Sequence, residues 1–330
     1  MKFHVNRRAA MGMTVVMLFA VTHGAASANA PAWPARPIKL IVAGAPGSGM
    51  DIFARMLQAP LQAALKQPVI IDNKVGANSL IGNDAVAKAA PDGYTFLFTP
   101  SSGIVLNPII QAKMPYDTQK DLIPVAQVGQ SGFLLVTNPS AGLNSLQDVI
   151  KYAKANPGKL VYGSWGSGSS GHLAMEGIKE HLGLDMPHVP YKGTASLSND
   201  LMGNNISVGF TDVASPVPHV KAGKLKAIGI TGSRRGPALP DVPTLTERGY
   251  KFDVDGWYGI FAPKGTPLEI VQRLNTEVNR IMSTEDTHQR FAAQNMLVPS
   301  SKSTEQFAST VNSDLQIWQE LAKAVNLKLD

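Results

Sequence analysis

Short apolar runs alternate with longer amphipathic stretches along the chain from residue 38 onward. The short runs are rich in Val, Ile, Leu and Phe, which is typical of buried strands, whereas the longer stretches have helical spacing. We predict strands at residues 38–43, 68–71, 94–98, 159–163, 187–190, 207–210 and 225–230, and longer strands at 124–136 and 254–262. This alternation predicts an α/β fold with largely parallel sheets.

The helical stretches fill the intervals between these strands and most of the chain after them. We predict helices at residues 51–65, 79–89, 145–155, 171–182, 194–202, 267–282, 287–294 and 304–325. Pro60 lies inside the first of them and should kink or split it, because proline lacks the backbone N–H and clashes with the preceding turn.

The two long strands separate two sets of alternating elements, which predicts two lobes. The first lobe is expected to be discontinuous, with residues 31–131 and 256–330, and the second to contain residues 132–255. Each lobe should have a mainly parallel sheet flanked by helices, with a hinge near residues 124–136 and 254–262. Two lobes joined at a hinge enclose a cleft that can close on a ligand.

The first 30 residues resemble a signal peptide. Lys2, Arg7 and Arg8 precede the apolar stretch 12–20, and small residues at 26–30 fit a cleavage site. A spanning helix needs about 20 consecutive apolar residues, and this run is shorter. The chain is therefore expected to be exported, and to be soluble once the signal is cleaved.

Composition narrows the possible classes of function. The chain contains no cysteine, which excludes disulfides, thiolate metal sites and a lipid anchor on cysteine. The net charge of +6 includes the three cations of the predicted signal and no acid there, so the remainder carries 6 − 3 = +3. Such a mild charge does not indicate nucleic-acid binding.

Two glycine- or serine-rich loops follow predicted strands of the first lobe, at the sheet edge where open α/β folds bind ligands. In the loop 44–49, Gly47, Ser48 and Gly49 open a helix, and their backbone N–H groups favour an anion. Close packing of a tight turn would explain the same glycines. In the loop 99–103, Ser101 and Ser102 could hydrogen-bond a carboxylate or cap a helix.

A third loop, residues 163–172, belongs to the second lobe. Its Gly166, Gly168 and Gly171 spell G-x-G-x-x-G, so a dinucleotide site is one interpretation. That fingerprint also requires an acidic residue at the end of the next strand, and here Asp185 precedes the strand instead. An exported nucleotide-binding protein therefore remains an alternative to a binding protein for carboxylates.

Enzymatic chemistry has weaker support in the residues. Ser170 and His172 are neighbours, but no acid can be assigned to orient the histidine, so an exported hydrolase is a second alternative. His172 and Glu176 lack a third metal ligand. Lys192 and Asp212 follow strands of the second lobe and could reach the cleft or serve as turn residues.

Many short motifs along the chain resemble, in order, those of the Bug family, the substrate-binding proteins of tripartite tricarboxylate transporters. The motifs include Trp-Pro at 33–34, Arg-Pro-Ile at 36–38, Ala-Pro-Asp-Gly-Tyr-Thr at 90–95, Pro-Tyr-Asp at 115–117, His-Val-Pro-Tyr-Lys-Gly at 188–193 and Leu-Pro-Asp-Val-Pro-Thr at 239–244. The resemblance covers essentially the whole chain after the predicted signal.

The resemblance implies a two-lobed periplasmic binding fold of type II and a receptor that is not an enzyme. It implies a small carboxylate ligand (a dicarboxylate, amino acid or aromatic acid), two membrane subunits as partners, and neither a metal nor an organic cofactor. We expect a monomer. The ligand-binding residues carried over or suggested by the loops are Gly47, Ser48, Gly49, Ser101, Ser102, Trp165, Ser167, Gly168, Ser169, Ser170, Lys192 and Asp212.

Two departures from the family pattern bear on specificity. Gly44 stands where the family usually has a bulky aromatic residue, and Trp165 stands where a small or polar residue is expected. We hypothesise that Trp165 offers a flat wall, and Gly44 the space, for a ring-bearing or longer carboxylate. Alternatively, Trp165 packs into its own lobe.

Overall fold

The structure is a computed structural model that describes residues 33–252 and 254–325. The predicted signal peptide, residues 1–30, lies outside the described residues. Within the described part, no helix is both long and apolar enough to cross a membrane.

The described residues form ten strands and eleven α-helices. The strands are β1 (Ile38–Val42), β2 (Val69–Asn73), β3 (Thr95–Pro100), β4 (Leu122–Ser131), β5 (Leu134–Thr137), β6 (Tyr162–Ser164), β7 (His188–Pro190), β8 (Val208–Thr211), β9 (Lys226–Ile230) and β10 (Gly256–Pro263). The helices are α1 (Gly49–Leu65), α2 (Leu80–Ala87), α3 (Asn107–Ile110), α4 (Thr118–Asp121), α5 (Leu146–Ala155), α6 (Ser170–Leu182), α7 (Thr194–Met202), α8 (Val217–Lys221), α9 (Leu268–Met282), α10 (Glu285–Ala293) and α11 (Thr304–Ala324).

The strands form two five-stranded sheets, with orders β2-β1-β3-β10-β4 and β7-β6-β8-β5-β9. In the first sheet β10 is antiparallel to both β3 and β4, and in the second β5 is antiparallel to both β8 and β9. Each sheet therefore has four parallel strands and one antiparallel strand. In each case the antiparallel strand is the first one after the chain has crossed from the other sheet.

The chain crosses between the sheets where β4 ends and β5 begins. The predicted continuous strand 124–136 is broken there, because Gly132 and Phe133 leave the ladder. A Cβ on Gly132 would lie 1.8 Å from the carbonyl oxygen of Thr231, so the close backbone approach requires glycine. The strands on either side of this break are consistent with the predicted two lobes, whose boundaries at 131/132 and 255/256 remain a prediction.

Each sheet is covered by helices on both faces, which bury large apolar side chains. Phe53, Phe96 and Phe261 are fully buried around the first sheet, and Tyr162 and Phe210 around the second. Apart from shifts of a few residues at their ends, the predicted strands and long helices are present. The fold is the expected α/β architecture with mainly parallel sheets.

Two local predictions differ from the structure. Helix α1 runs unbroken from Gly49 to Leu65 with Pro60 inside it, so the proline does not split it. Its buried face, which includes Phe53, Leu57 and Leu61, holds the helix against the sheet despite the lost hydrogen bond. The predicted loop after β3 instead starts a π-helix, Ser102–Leu106, that continues into α3.

Candidate functional site

A cavity of about 750 Å³ lies between the loops that follow the strands of the two sheets. Its wall includes eight of the twelve predicted site residues: Ser48, Ser101, Ser102, Trp165, Ser167, Ser170, Lys192 and Asp212. Gly47, Gly49, Gly168 and Ser169 are not part of the wall. The cavity coincides with the cleft predicted from the sequence.

In the loop before α1, the two predicted glycines use their amides within the protein. The Gly47 N–H donates to Asp51 Oδ2 at 3.0 Å, and the Gly49 N–H donates to Asp212 Oδ2 at 3.0 Å. Because both donors are engaged, the structure does not offer them to a ligand. Ser48 reaches the wall and caps α1 by accepting from the Asp51 N–H.

The carboxylate of Asp51 accepts hydrogen bonds from this loop and from neighbouring elements. Burial alone would raise the pKa of Asp51, but hydrogen bonds from Arg55, Gly47 and Asn73 outweigh it and lower the pKa. Arg55 Nε and Asn73 Nδ2 lie 2.9 and 3.0 Å from its carboxylate oxygens. The ionised carboxylate therefore fixes the loop in one conformation.

Ser101 and Ser102 lie at the end of β3 and are almost fully buried, each with an exposed fraction of 1%. Ser101 Oγ accepts a hydrogen bond from the Trp257 N–H at 3.4 Å, and Ser102 Oγ donates to Asn78 Oδ1 at 3.1 Å. Both are on the cavity wall, and their predicted hydrogen bonds to a carboxylate remain a prediction.

The loop between β6 and α6 supplies Trp165, Ser167 and Ser170 to the wall. Gly168 and Ser169 instead hold the loop to the helix: the Gly168 N–H donates to His172 Nδ1 at 3.1 Å, and Ser169 Oγ accepts from the His172 N–H at 3.2 Å. These two predicted binding residues therefore lie outside the cavity wall and hold the loop to α6.

The third glycine of the G-x-G-x-x-G motif has a packing role. A Cβ on Gly171 would lie 2.4 Å from Cζ3 of Trp165, so the indole lies directly on the glycine backbone. The ring also contacts Phe133, with centroids 5.3 Å apart. Trp165 is thus packed within its own lobe and also lines the cavity, while its contact with a ring-bearing ligand remains a prediction.

Two stacked histidines lie beneath this loop. The rings of His172 and His188 are 3.9 Å apart and nearly parallel, at 11°. Burial lowers the pKa of His172 and lowers that of His188 to about 3. Both rings are therefore neutral, and they support the loop as packed aromatic groups.

The arrangement of His172 argues against a hydrolase. Its Nδ1 accepts from the Gly168 N–H, and its Nε2 lies 3.9 Å from Glu176 Oε1. Because Nδ1 accepts this hydrogen bond, the neutral ring carries its proton on Nε2, and this arrangement leaves His172 without a free acceptor for the Ser170 proton. Among the described residues, no group of three or more His, Asp or Glu side chains could hold a metal ion.

Lys192 and Asp212 differ in their surroundings. Lys192 is exposed at the rim and is the only basic side chain among the described residues of the wall. Asp212 is buried, and its carboxylate accepts from Gly49, from Thr194 Oγ and from the N–H groups of Ala214 and Ser215. Asp212 therefore joins the two lobes, and its acceptors are already occupied.

The loop between β2 and α2 also lines the cavity, although no site residue was predicted in it. Ala77, Asn78 and Ser79 all have left-handed backbones, with φ of 45°, 47° and 72°. Such residues each cost on the order of 1–2 kcal/mol and persist where surrounding contacts fix them. All three line the cavity. Gly76 and Asn78 were the available signal, since glycine and asparagine adopt left-handed conformations more readily than other residues.

Asn78 links this loop to both lobes. Its Nδ2 donates to Gly168 O at 2.8 Å and to Asn107 Oδ1 at 3.0 Å, while its Oδ1 accepts from Ser102. Asn107 Nδ2 in turn donates to Asn78 O at 2.9 Å. One side chain thus connects the loops at the starts of α2 and α6 across the cavity.

Helix N-termini give the cavity its electrostatic preference. The loops at the starts of α1, α2, α6 and α7 contribute to its wall, and each helix N-terminus has a partial positive charge. Asp51 and Asp212 already offset the charge of α1. By contrast, α2 and α6 have no acidic residue in their first turns. An anion is therefore favoured between these two helix ends, beside Ser102 and Ser170.

Comparison with known proteins agrees with this geometry. Residues 53–327 match the model of the tripartite tricarboxylate transporter family receptor. The protein BugT of Bordetella pertussis is 35% identical over 320 residues, which cover 96% of this chain and 98% of that protein.

Two similar structures contain carboxylates. The R. palustris protein Rpa4515 with adipate is 30% identical with a TM-score of 0.86, covering 90% of this chain and 99% of that one. MatC of Rhodopseudomonas palustris with bound malate is 30% identical with a TM-score of 0.83, covering 88% and 99%. The predicted receptor role, as opposed to an enzyme, is thereby confirmed. The chain belongs to the tripartite tricarboxylate transporter receptor family, the Bug family of periplasmic solute-binding proteins.

Proposed function

We propose that the chain is a periplasmic receptor that binds a small organic carboxylate between its lobes and delivers it to the membrane subunits of a tripartite tricarboxylate-type transporter. The observation that carries this proposal is the uncompensated pair of helix N-termini, α2 and α6, which meet at one cavity beside buried serine hydroxyls. The adipate and malate in the two similar structures support the same ligand class.

A carboxylate fits the donors of this site. Backbone N–H groups at helix ends and the hydroxyl of Ser170 hydrogen-bond an anion without a buried opposing charge. Ser170 has an exposed fraction of 1%, so a carboxylate there would be removed from water and its hydrogen bonds strengthened. The exposed Lys192 at the rim adds attraction for an incoming anion.

The binding test is a thermal-shift and calorimetric screen with aliphatic and aromatic acids, their neutral amides and NAD. We expect acids to raise Tm and amides of the same shape to have little effect, because ligands stabilise the state that they bind. Binding of NAD in preference to every acid, or equal binding of acids and amides, would refute the proposal.

Variants at Ser170 locate the site. Ser170→Ala should weaken acid binding about tenfold or more, because a hydrogen bond to a charged group is removed. Ser170→Asp should abolish it by placing a negative charge beside the carboxylate. Ser309→Ala, an exposed change on α11, is the matched control and should leave affinity unchanged.

Delivery and location need separate measurements in the source bacterium. We expect the protein in the periplasmic fraction, with a mature N-terminus near residue 31, and loss of uptake of the identified acid when its gene is deleted. Complementation with the unchanged chain should restore uptake, and Ser170→Asp should not. Uptake unaffected by the deletion would refute the transport role.

A further inference from the structure

One side of the cavity is an aromatic wall formed by Phe133 and Trp165. The two rings are 5.3 Å apart at an interplanar angle of 48° and are each partly exposed. Phe133 comes from the first crossing between the lobes, and Trp165 from the loop before α6. Both face the cavity that contains the proposed carboxylate donors.

Each of the two rings packs directly against the backbone of a glycine. A Cβ on Gly256 would lie 2.5 Å from Cζ of Phe133, and a Cβ on Gly171 would lie 2.4 Å from Cζ3 of Trp165. Each ring therefore rests on bare backbone. An apolar surface fixed in this way needs little ordering when a ligand packs against it.

An apolar side chain, that of Met50, occupies the space beside Gly44 that was predicted to be free. A Cβ on Gly44 would lie 2.8 Å from Cε of Met50, so the methionine fills the room that the glycine leaves. Met50 lines the cavity, as does Met296. Thioethers adapt to irregular shapes and make favourable contacts with aromatic rings. The glycine therefore contributes a flexible apolar surface and not an empty pocket.

Charge on the wall is scarce by comparison. Within the described residues that line the cavity, Lys192 is the only cation, and it is exposed at the rim. The one acid, Asp212, is occupied by the protein's own donors. The volume of about 750 Å³ lies in the range of roughly 300–1,000 Å³ that holds drug-sized ligands.

We propose that the preferred ligand is a monocarboxylate with an aromatic ring. Its carboxylate lies at the N-termini of α2 and α6, and its ring packs against Trp165 and Phe133. This inference rests on the proposed function, since it assumes that the cavity binds carboxylates. Trp165 and Phe133 are then the specificity-determining residues.

Calorimetric titration with four probes measures separately how the aromatic ring, the negative charge and the shape of the ligand affect its affinity. The probes are phenylacetate, cyclohexylacetate, malate and the neutral phenylacetamide. We expect phenylacetate to bind at least about tenfold more tightly than malate, and several-fold more tightly than cyclohexylacetate, because the flat ring gains contact with two aromatic faces.

Two variants test the wall. Trp165→Leu should weaken phenylacetate about tenfold or more and malate less than about twofold, because only the ring contact is lost. Phe133→Leu should have the same selective effect and provides a second reading if Trp165→Leu does not fold. The control is Tyr152→Leu, an exposed aromatic on α5, which should change neither affinity.

The outcomes distinguish this inference from the function on which it rests. If malate binds more tightly than phenylacetate, or if Trp165→Leu and Phe133→Leu weaken both acids equally, the aromatic specificity is overturned while carboxylate binding stands. If phenylacetamide binds as tightly as phenylacetate, the carboxylate receptor itself is refuted.

Discussion

The backbone N–H of Gly49 donates a hydrogen bond of 3.0 Å to Oδ2 of Asp212, a residue that lies 163 positions later in the chain and in the other sheet's set of loops. The acceptor lies at the N-terminus of α1, where the helix dipole favours a negative charge. The carboxylate also accepts from Thr194, Ala214 and Ser215, so its position is fixed by its own lobe. This contact therefore links the start of α1 to the loop after β8.

Replacement of Asp212 should destabilise the protein. We expect Asp212→Ala to lower the free energy of unfolding by about 2–4 kcal/mol, because several buried donors lose their acceptor together. Urea denaturation measures this change. Asp241→Asn, on an exposed carboxylate, is the control and should have little effect. An Asp212→Ala protein as stable as wild type would contradict the assigned role.

Replacement of Asn78 should weaken closure and binding. Asn78→Asp removes the donor to Gly168 O and places a negative charge at the proposed anion site. We expect the affinity for an acid ligand to fall about tenfold or more, and small-angle scattering of the liganded protein to show a larger radius. Asn199→Asp, at an exposed position of α7 outside the cavity wall, makes the same change of charge and should change neither measurement. Unchanged affinity would show that Asn78 does not contribute to binding.

Ala77 offers a stabilising substitution. Its φ of 45° is unfavourable for alanine and neutral for glycine, so Ala77→Gly should raise the free energy of unfolding by up to about 1 kcal/mol. The matched control is Ala85→Gly inside α2, which should lower it by about 0.5–1 kcal/mol. If both changes lowered stability equally, the left-handed conformation would not be a source of strain.

The histidine stack predicts a pH dependence of stability. Burial, with smaller effects from His172 and Lys179, lowers the pKa of His188 from 6.5 to about 3. Between these values the unfolded chain binds a proton that the folded chain does not. The neutral, buried His188 therefore makes its full contribution to the free energy of unfolding above about pH 6.5. This contribution is lost as the pH falls toward about 3.

Urea denaturation at pH 7, 6 and 5 with His188→Gln tests this dependence. The glutamine can still hydrogen-bond Ser164 Oγ, which lies 2.8 Å from His188 Nε2, but it does not titrate. We expect a shallower fall in stability with acid for this variant. The exposed His288→Gln should retain the wild-type slope, and the same slope in both variants would contradict the prediction.

The spacing of apolar residues and the positions of glycines predicted most of the fold. Apolar spacing shows which face of an element is buried, and glycines mark the turns between elements. The strand at Ile38–Val42 and the helix at Thr304–Ala324 follow from local apolar spacing alone. The interruption at Gly132 and Phe133 was not predicted, because the polar and glycine residues at 129–132 occur in continuous strands as well as at breaks. The break depends on the backbone of Thr231, directly after β9, which lies against Gly132.

The site was predictable where helix ends meet glycine- and serine-rich loops, as at Ser102 and Ser170. The engaged amides of Gly47 and Gly49 were not, because their partners Asp51 and Asp212 are recognised only in three dimensions. Phe133 was missed for a similar reason: an aromatic residue in an apolar run carries no local sign that it faces a cavity.

The short crossing between β4 and β5 has a mechanical consequence. Two residues, Gly132 and Phe133, separate strands that belong to different sheets, and a fully extended pair spans at most about 7 Å. The ends of β4 and β5 consequently cannot move far apart at this crossing. Phe133 lies in that crossing and also lines the cavity, so a change in the backbone there would alter the cavity wall directly.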